Sequence, residues 1–109
     1  MKKSEIKITV TLDDENMIQQ IQWDADDKPK GEADDTRAFS LSLWDHQQKS
    51  TLRMDLWTQE MPAIEMKRMA IDVISGMAQT IASSTGDDKM SHQMEKFADQ
   101  MIEYLNQNN

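Results

Sequence analysis

Cysteine is absent from the 109 residues. That removes disulfides, thiolate nucleophiles and thiolate metal sites, and it leaves the redox compartment unread. Glycine is scarce: Gly31, Gly76 and Gly86 are too scattered to form a loop that cradles phosphate. The two histidines, His46 and His92, fall in a predicted turn and on the polar side of a predicted helix, and nothing in the spacing brings carboxylates to them. No nucleophile stands between glycines as at a hydrolase elbow. These absences point away from an enzyme, a metal site or an organic cofactor. No apolar run approaches the ~18 residues of a membrane span. The basic opening MKKSEIKITV also lacks the apolar stretch of a signal peptide, so the expectation is a cytoplasmic protein with no membrane insertion.

Basic residues are in short supply too, with 12 Lys and Arg against 20 Asp and Glu and a net charge of −8. A field of that sign repels phosphate backbones and anionic lipid, which disfavours nucleic acid and membrane surfaces as partners. The basic groups present are small (Lys2, Lys3 and Lys7; Lys67 with Arg68), and Glu65 and Asp72 flank the second.

What the chain does have is periodicity. Ile6, Ile8, Val10 and Leu12 alternate with Lys7, Thr9 and Thr11, the period-2 signature of a half-buried strand. The turn composition Asp13-Asp14-Glu15-Asn16 follows, and then Met17, Ile21 and Trp23 share a phase that Gln19 interrupts. Pairing Ile6 with Trp23, Ile8 with Ile21 and Leu12 with Met17 puts the apolar side chains on one face. A second hairpin is predicted where Phe39, Leu41 and Leu43 face Leu56, Met54 and Leu52. Residues 24–36 between the hairpins read as an acidic surface loop. Its carboxylates do not match a calcium loop, because counting from Asp24 places Lys28 at position 5 and Pro29 at position 6.

Pro62 suits the first position of a helix that runs to about Ser83. Its polar residues Glu65, Arg68, Asp72, Ser75, Gln79 and Ser83 fill an arc of only about 80°, so most of the circumference is apolar and has to be covered on two or three sides. Gly86 is placed as a C-terminal cap, and Asp87 or Asp88 as the cap of the next helix. That helix carries one narrow apolar stripe of Met90, Met94, Phe97, Ala98, Met101, Tyr104 and Leu105. The expected fold is α+β: a four-stranded antiparallel sheet followed by two C-terminal helices packed on one face, in a single domain over residues 1–109. This ββββαα order is similar to that of the export chaperone SecB, a likeness of architecture and not of motifs.

The segments LWDH, TLRMDLW, EMPAIEMKR and GMAQ, in this order and spacing, resemble the cytoplasmic gliding motility-associated GldC family. The opening SEIKITVTLDDE, the pair Trp23-Asp24 and the run TGDDKM fit the same pattern, so the likeness covers nearly the whole chain; residues 25–36 depart most. The resemblance implies an accessory role in gliding and its associated secretion machinery, without enzymatic activity and without catalytic or ligand residues to carry over. The SecB-like order suggests the alternative of a holdase chaperone for unfolded export clients.

Two features stand out as candidate contact sites. Trp44 and Trp57 lie out of phase with the apolar residues of their strands, so with the helices on the apolar face they emerge on the opposite one, where water or a partner must lie or a local loop or second subunit caps them. Ten methionines are present, and Met66, Met69 and Met77 join Val73 on the surplus face of the first helix. Thioether side chains fill gaps in cores and also suit adaptable interfaces. The expected partners are proteins, with self-association among them.

Overall fold

A computed structural model of the chain describes residues 1–27 and 34–108. The chain divides into two compact units, Met1–Met61 and Pro62–Asn109. Among the described residues the first holds five strands and the second two helices.

In the first unit β1 (Ile6–Leu12) pairs antiparallel with β2 (Ile18–Ala25). The observed partners are Ile6↔Ala25, Ile8↔Trp23 and Val10↔Ile21, which corrects the expected register by two residues. A shift of two keeps every side chain on its face, so the apolar set still coincides. The turn accounts for the shift. The Asp13 carboxylate accepts the backbone N–H groups of Glu15 and Met17 and the Gln19 amide, each at 2.9 Å. Asn16 adopts a left-handed conformation with φ 63°, which asparagine tolerates better than most residues. Between Thr11↔Gln20 and Leu12↔Ile18 the ladder slips by one residue, so Gln19 is the extra residue of a β-bulge.

The expected single four-stranded sheet is also corrected. The strands form a three-stranded sheet in the order β1-β2-β3 and a separate pair of β4 and β5. The two-residue β3 (Asp35–Thr36) lies on the free edge of β2, as Ile21↔Thr36 and Gln22↔Asp35. The chain then bends at Arg37, where the Thr36 hydroxyl donates to the Ala38 carbonyl at 3.1 Å. Next along β2, the Ile18 carbonyl accepts the N–H of Gln59 at 3.3 Å, so β4 does not continue along that edge. Of the stretch read as an acidic loop, Asp24 and Ala25 belong to β2, and Asp35 and Thr36 form β3. Residues 28–33, which include two positions of the calcium argument, lie outside the described residues. The carboxylates of Asp26 and Asp27 tie down the start of β1, accepting from the Glu5 N–H and the Ser4 hydroxyl.

β4 (Ala38–Asp45) and β5 (Ser50–Trp57) have the predicted register, with Phe39↔Leu56, Leu41↔Met54 and Leu43↔Leu52. Their turn repeats the device of the first hairpin. Asp45 accepts the N–H groups of Gln47 and Gln48, and a left-handed residue, Lys49, leads into the next strand. Ile21, at 0% exposure, is the largest fully buried side chain of the unit. It floors a groove of about 250 Å³ with Ile6, Ile8, Trp23, Thr36, Ala38 and Phe39. The bend at Arg37 thus brings the start of the second hairpin against the apolar face of the first.

The second unit is an antiparallel helical hairpin, α1 (Ala63–Thr85) and α2 (Asp88–Gln107). Pro62 is the residue before the first helical turn, and its carbonyl accepts the Met66 N–H. Gly86 ends α1 in the left-handed conformation at φ 74°, as its place in the sequence implies. Asp87 caps α2 by accepting from the Met90 N–H at 2.9 Å. Ile71, Ala98 and Leu105 form the buried seam, with Ile74, Met101 and Ile102 packed against it. Ala78 is small enough to let the helices approach, and there the Ser91 hydroxyl donates to its carbonyl at 2.7 Å. The Ser75 hydroxyl donates to the Glu95 carboxylate across the same seam.

The two glycines of this unit have opposite requirements, although a Cβ at either would meet nothing within 4 Å. Gly76 lies inside α1, where glycine costs about 1 kcal/mol relative to alanine. Gly86 needs positive φ, where alanine is strained by a similar amount. Gly76→Ala is therefore expected to raise the thermal midpoint by several degrees and Gly86→Ala to lower it, as read by circular dichroism.

Candidate functional site

The outer face of the β4–β5 hairpin follows from its register. Ser40, Ser42 and Trp44 on one strand stand beside Thr51, Arg53, Asp55 and Trp57 on the other. Trp44 is 62% exposed and Trp57 is 55% exposed. They lie at opposite ends of the ladder, Trp44 across from Thr51 and Trp57 across from Ala38. Six residues of strand separate those rungs, about 20 Å. The tryptophans therefore bracket a strip and do not form one aromatic cluster.

Between them lies a polar clamp. The Arg53 guanidinium donates to the Ser42 hydroxyl at 3.0 Å, to the Ser40 hydroxyl at 2.9 Å and to an Asp55 carboxylate oxygen at 2.9 Å. This geometry engages a side chain with five donors on three partners and ties the two strands together between the tryptophans. The Ser40 hydroxyl, and then the Arg53 guanidinium, hold the Asp55 carboxyl below its ordinary range. The clamp was not singled out from the sequence. Its signal was present: Arg53 and Asp55 are two apart in the phase of Trp57, and the predicted register sets Ser42 and Ser40 opposite them.

The inner face of the same hairpin carries Leu41, Leu43, Leu52 and Met54, each more than a third exposed. Near the other end of the hairpin, Asp55, Leu56 and Trp57 line an open groove of about 320 Å³ with Asn16, Met17, Ile18 and Gln59. A polar groove of about 450 Å³ is lined by Gln19, Gln20, Asp35, Thr36, Arg37, Thr58 and Glu60. Among the described residues, no three His, Cys, Asp or Glu side chains come together as a metal would require. Among the described residues no helix is long and apolar enough to cross a membrane.

The other candidate residues lie in the helical unit. Ile71 and Ala78 define the side of α1 that α2 covers. At ~100° per residue, Met69 and Val73 fall about half a turn away on the opposite side, Met66 lies close to them, and Met77 stands about a third of a turn from the seam. Met77 is about half exposed, and the other three are half-buried. On α2, Met90, Phe97 and Tyr104 recur every seven residues beside the seam, and each is about half exposed. The stripe predicted for α2 is thus divided: Ala98, Met101 and Leu105 serve the seam, and these three do not.

Comparison with known proteins gives one finding. The model of a family described as gliding motility-associated protein GldC-like matches residues 18–107. No curated protein and no solved structure matches the chain.

Two carboxylates make the fold sensitive to acid. Asp13, through the Met17 N–H above all, and Asp55, through the Ser40 hydroxyl, both have pKa values lowered from 3.8. A lowered pKa contributes stability that is complete above the unfolded value and is lost as pH falls through the folded one. Asp13→Asn and Asp55→Asn are each expected to reduce stability at neutral pH and to flatten its decline below pH 3.8. Urea midpoints measured from pH 7 to pH 2 read both effects.

Proposed function

The chain belongs to the GldC-like family of gliding motility-associated proteins, and on that footing we propose that it is a non-enzymatic cytoplasmic accessory protein. It acts by binding other proteins, itself included, in support of gliding and of the secretion machinery associated with it. The observation that carries this reading is the outer hairpin strip, on which two exposed tryptophans bracket the Arg53 clamp. Large aromatics held on a rigid surface lose little entropy on docking and dominate binding energy where they are buried. The half-exposed Met77 and the methionine side of α1 supply a second adaptable surface, suited to self-association.

A second reading, a holdase for unfolded export clients, is favoured by the open apolar groove over Ile21. Ile6, Ile8, Trp23 and Phe39 around it offer an extended client mainly apolar contacts.

Affinity capture of the tagged chain from its own cells separates the two. The accessory reading expects one stoichiometric partner, and expects Trp44→Ala with Trp57→Ala to remove it. Loss of about 2 kcal/mol at each anchor weakens binding roughly 30-fold per site. Equal capture by the double variant would overturn the role given to the tryptophans. A broad set of unrelated precursors, retained by both forms and released on refolding, would assign the holdase activity instead.

A further inference from the structure

Among the described residues β5 has one hydrogen-bonded neighbour strand, β4. The Thr58 N–H donates to the Arg37 carbonyl at 2.8 Å, which fixes the alternation along the strand. Leu56, Met54 and Leu52 exchange bonds with β4, and the backbone groups of Thr51, Arg53, Asp55 and Trp57 point away from it. Among the described residues no backbone hydrogen bond reaches that outward edge. The strand is eight residues long and holds no proline, bulge or lysine, its charged residues being Arg53 and Asp55. At its C-terminal end Asn16, Met17 and Ile18 border the groove beside Asp55 and Trp57, and the Gln59 N–H donates to the Ile18 carbonyl.

The sequence of this edge is its own complement. Around Met54 it reads Leu52-Arg53-Met54-Asp55-Leu56. Two copies related by a two-fold axis at Met54 run antiparallel, so Arg53 meets Asp55 of the second copy and Asp55 meets its Arg53. Leu52 meets Leu56, and Met54 meets Met54. Arg53 and Asp55 are among the residues whose backbone groups point outward, so both charged pairs are also hydrogen-bonded pairs. Moving the axis to Arg53 sets two guanidinium groups face to face, and moving it to Asp55 sets two carboxylates face to face; like charges directly opposite are destabilising. A shift of one residue sets outward backbone groups against ones already used by β4. Of the registers centred on Arg53, Met54 and Asp55, charge favours the one at Met54, and there the charged pairs are also hydrogen-bonded pairs.

We infer that the occupant of this edge is a second copy of the chain, joined β5 to β5 in an isologous dimer with a continuous β4-β5-β5-β4 sheet. The inference rests on the self-association proposed above and names its surface. In the dimer each Arg53 keeps its own Asp55 and gains that of the second copy, so four charges alternate in a closed square beside the tryptophans.

The test is a charge exchange read by light scattering. The natural chain is expected at twice its 12.6 kDa monomer mass. Arg53→Asp alone and Asp55→Arg alone each place like charges opposite one another, and each is expected to halve that mass. Mixing the two variants makes every pair complementary again and restores the dimer, a rescue that an effect on folding within one chain does not produce. In the natural charge background, Met54→Cys is expected to form an intermolecular disulfide readily. Leu52→Cys is not, because its counterpart lies beyond the ~7 Å reach of that bond. Single variants that keep the full mass, or cysteines that cross-link equally, would overturn the β5 pairing and leave self-association through another surface. A natural chain that stays monomeric at tens of micromolar would overturn both.

Discussion

One backbone hydrogen bond, from the N–H of Thr58 to the carbonyl of Arg37, holds the organisation of the strand unit in place. Arg37 is the bend after which the chain leaves β2, and Thr58 is the point at which β5 returns to it. Immediately beyond, the Gln59 N–H takes the Ile18 carbonyl, so the edge that β4 would have extended is closed by a residue from the far side of the hairpin. β4 and β5 are left as a two-stranded ribbon. A lone hairpin buries little and is marginal in water, so this one needs contacts on its faces or its edge. The exposed tryptophans, the half-exposed leucines of the inner face and the unpaired edge of β5 share this origin.

The parts of the fold legible in the sequence are those where a local rule and the pattern of burial agree. The β4–β5 register follows from alternation alone, since any one-residue error would have turned Leu41 and Met54 to the wrong face. Gly86 was legible because one conformation selects it, and the α2 cap was legible to within Asp87 or Asp88, of which Asp87 makes the bond. The β1–β2 register was misjudged by two residues, a shift the alternating pattern cannot detect because it preserves both faces. Gln19 held the missing information. It broke the apolar phase because it is the bulge residue, and its amide reaches back to Asp13. The division into two sheets was not legible at all. β3 is two residues long, too short for any period, and the bend depends on contacts with Ile18 and Ile21 from a distant strand.

The candidate site divides along the same line. Out-of-phase tryptophans are visible in the sequence because phase is a local property, and the structure places both on one exposed face. The clamp between them requires two strands at once: Arg53 is an ordinary charged residue until the register sets Ser40 and Ser42 beside it. For α1 the sequence shows how much of the helix is apolar and does not show which side α2 takes. Small residues decide that. Ala78 and Ala98 permit close approach, Ser75 and Ser91 bond across the seam, and the bulkier Met66, Met69 and Val73 fall to the other side with Met77 at its flank.

A net charge of −8 on each copy opposes self-association at long range, and this bears on how the β5 edge is built. Screening at physiological salt reduces charge interactions beyond about 8 Å, so the many acidic groups elsewhere count for less than those on facing strands. At that short range Arg53 and Asp55 present equal and opposite charge on each copy. An edge of purely acidic residues would be soluble and unable to pair with itself, and a purely apolar edge would pair in any register. Alternating Arg53 and Asp55 with Leu52, Met54 and Leu56 combines attraction with a favoured alignment. The same two residues form the clamp that lies between Trp44 and Trp57, so the surface proposed for partners and the edge proposed for the second copy share one ion pair.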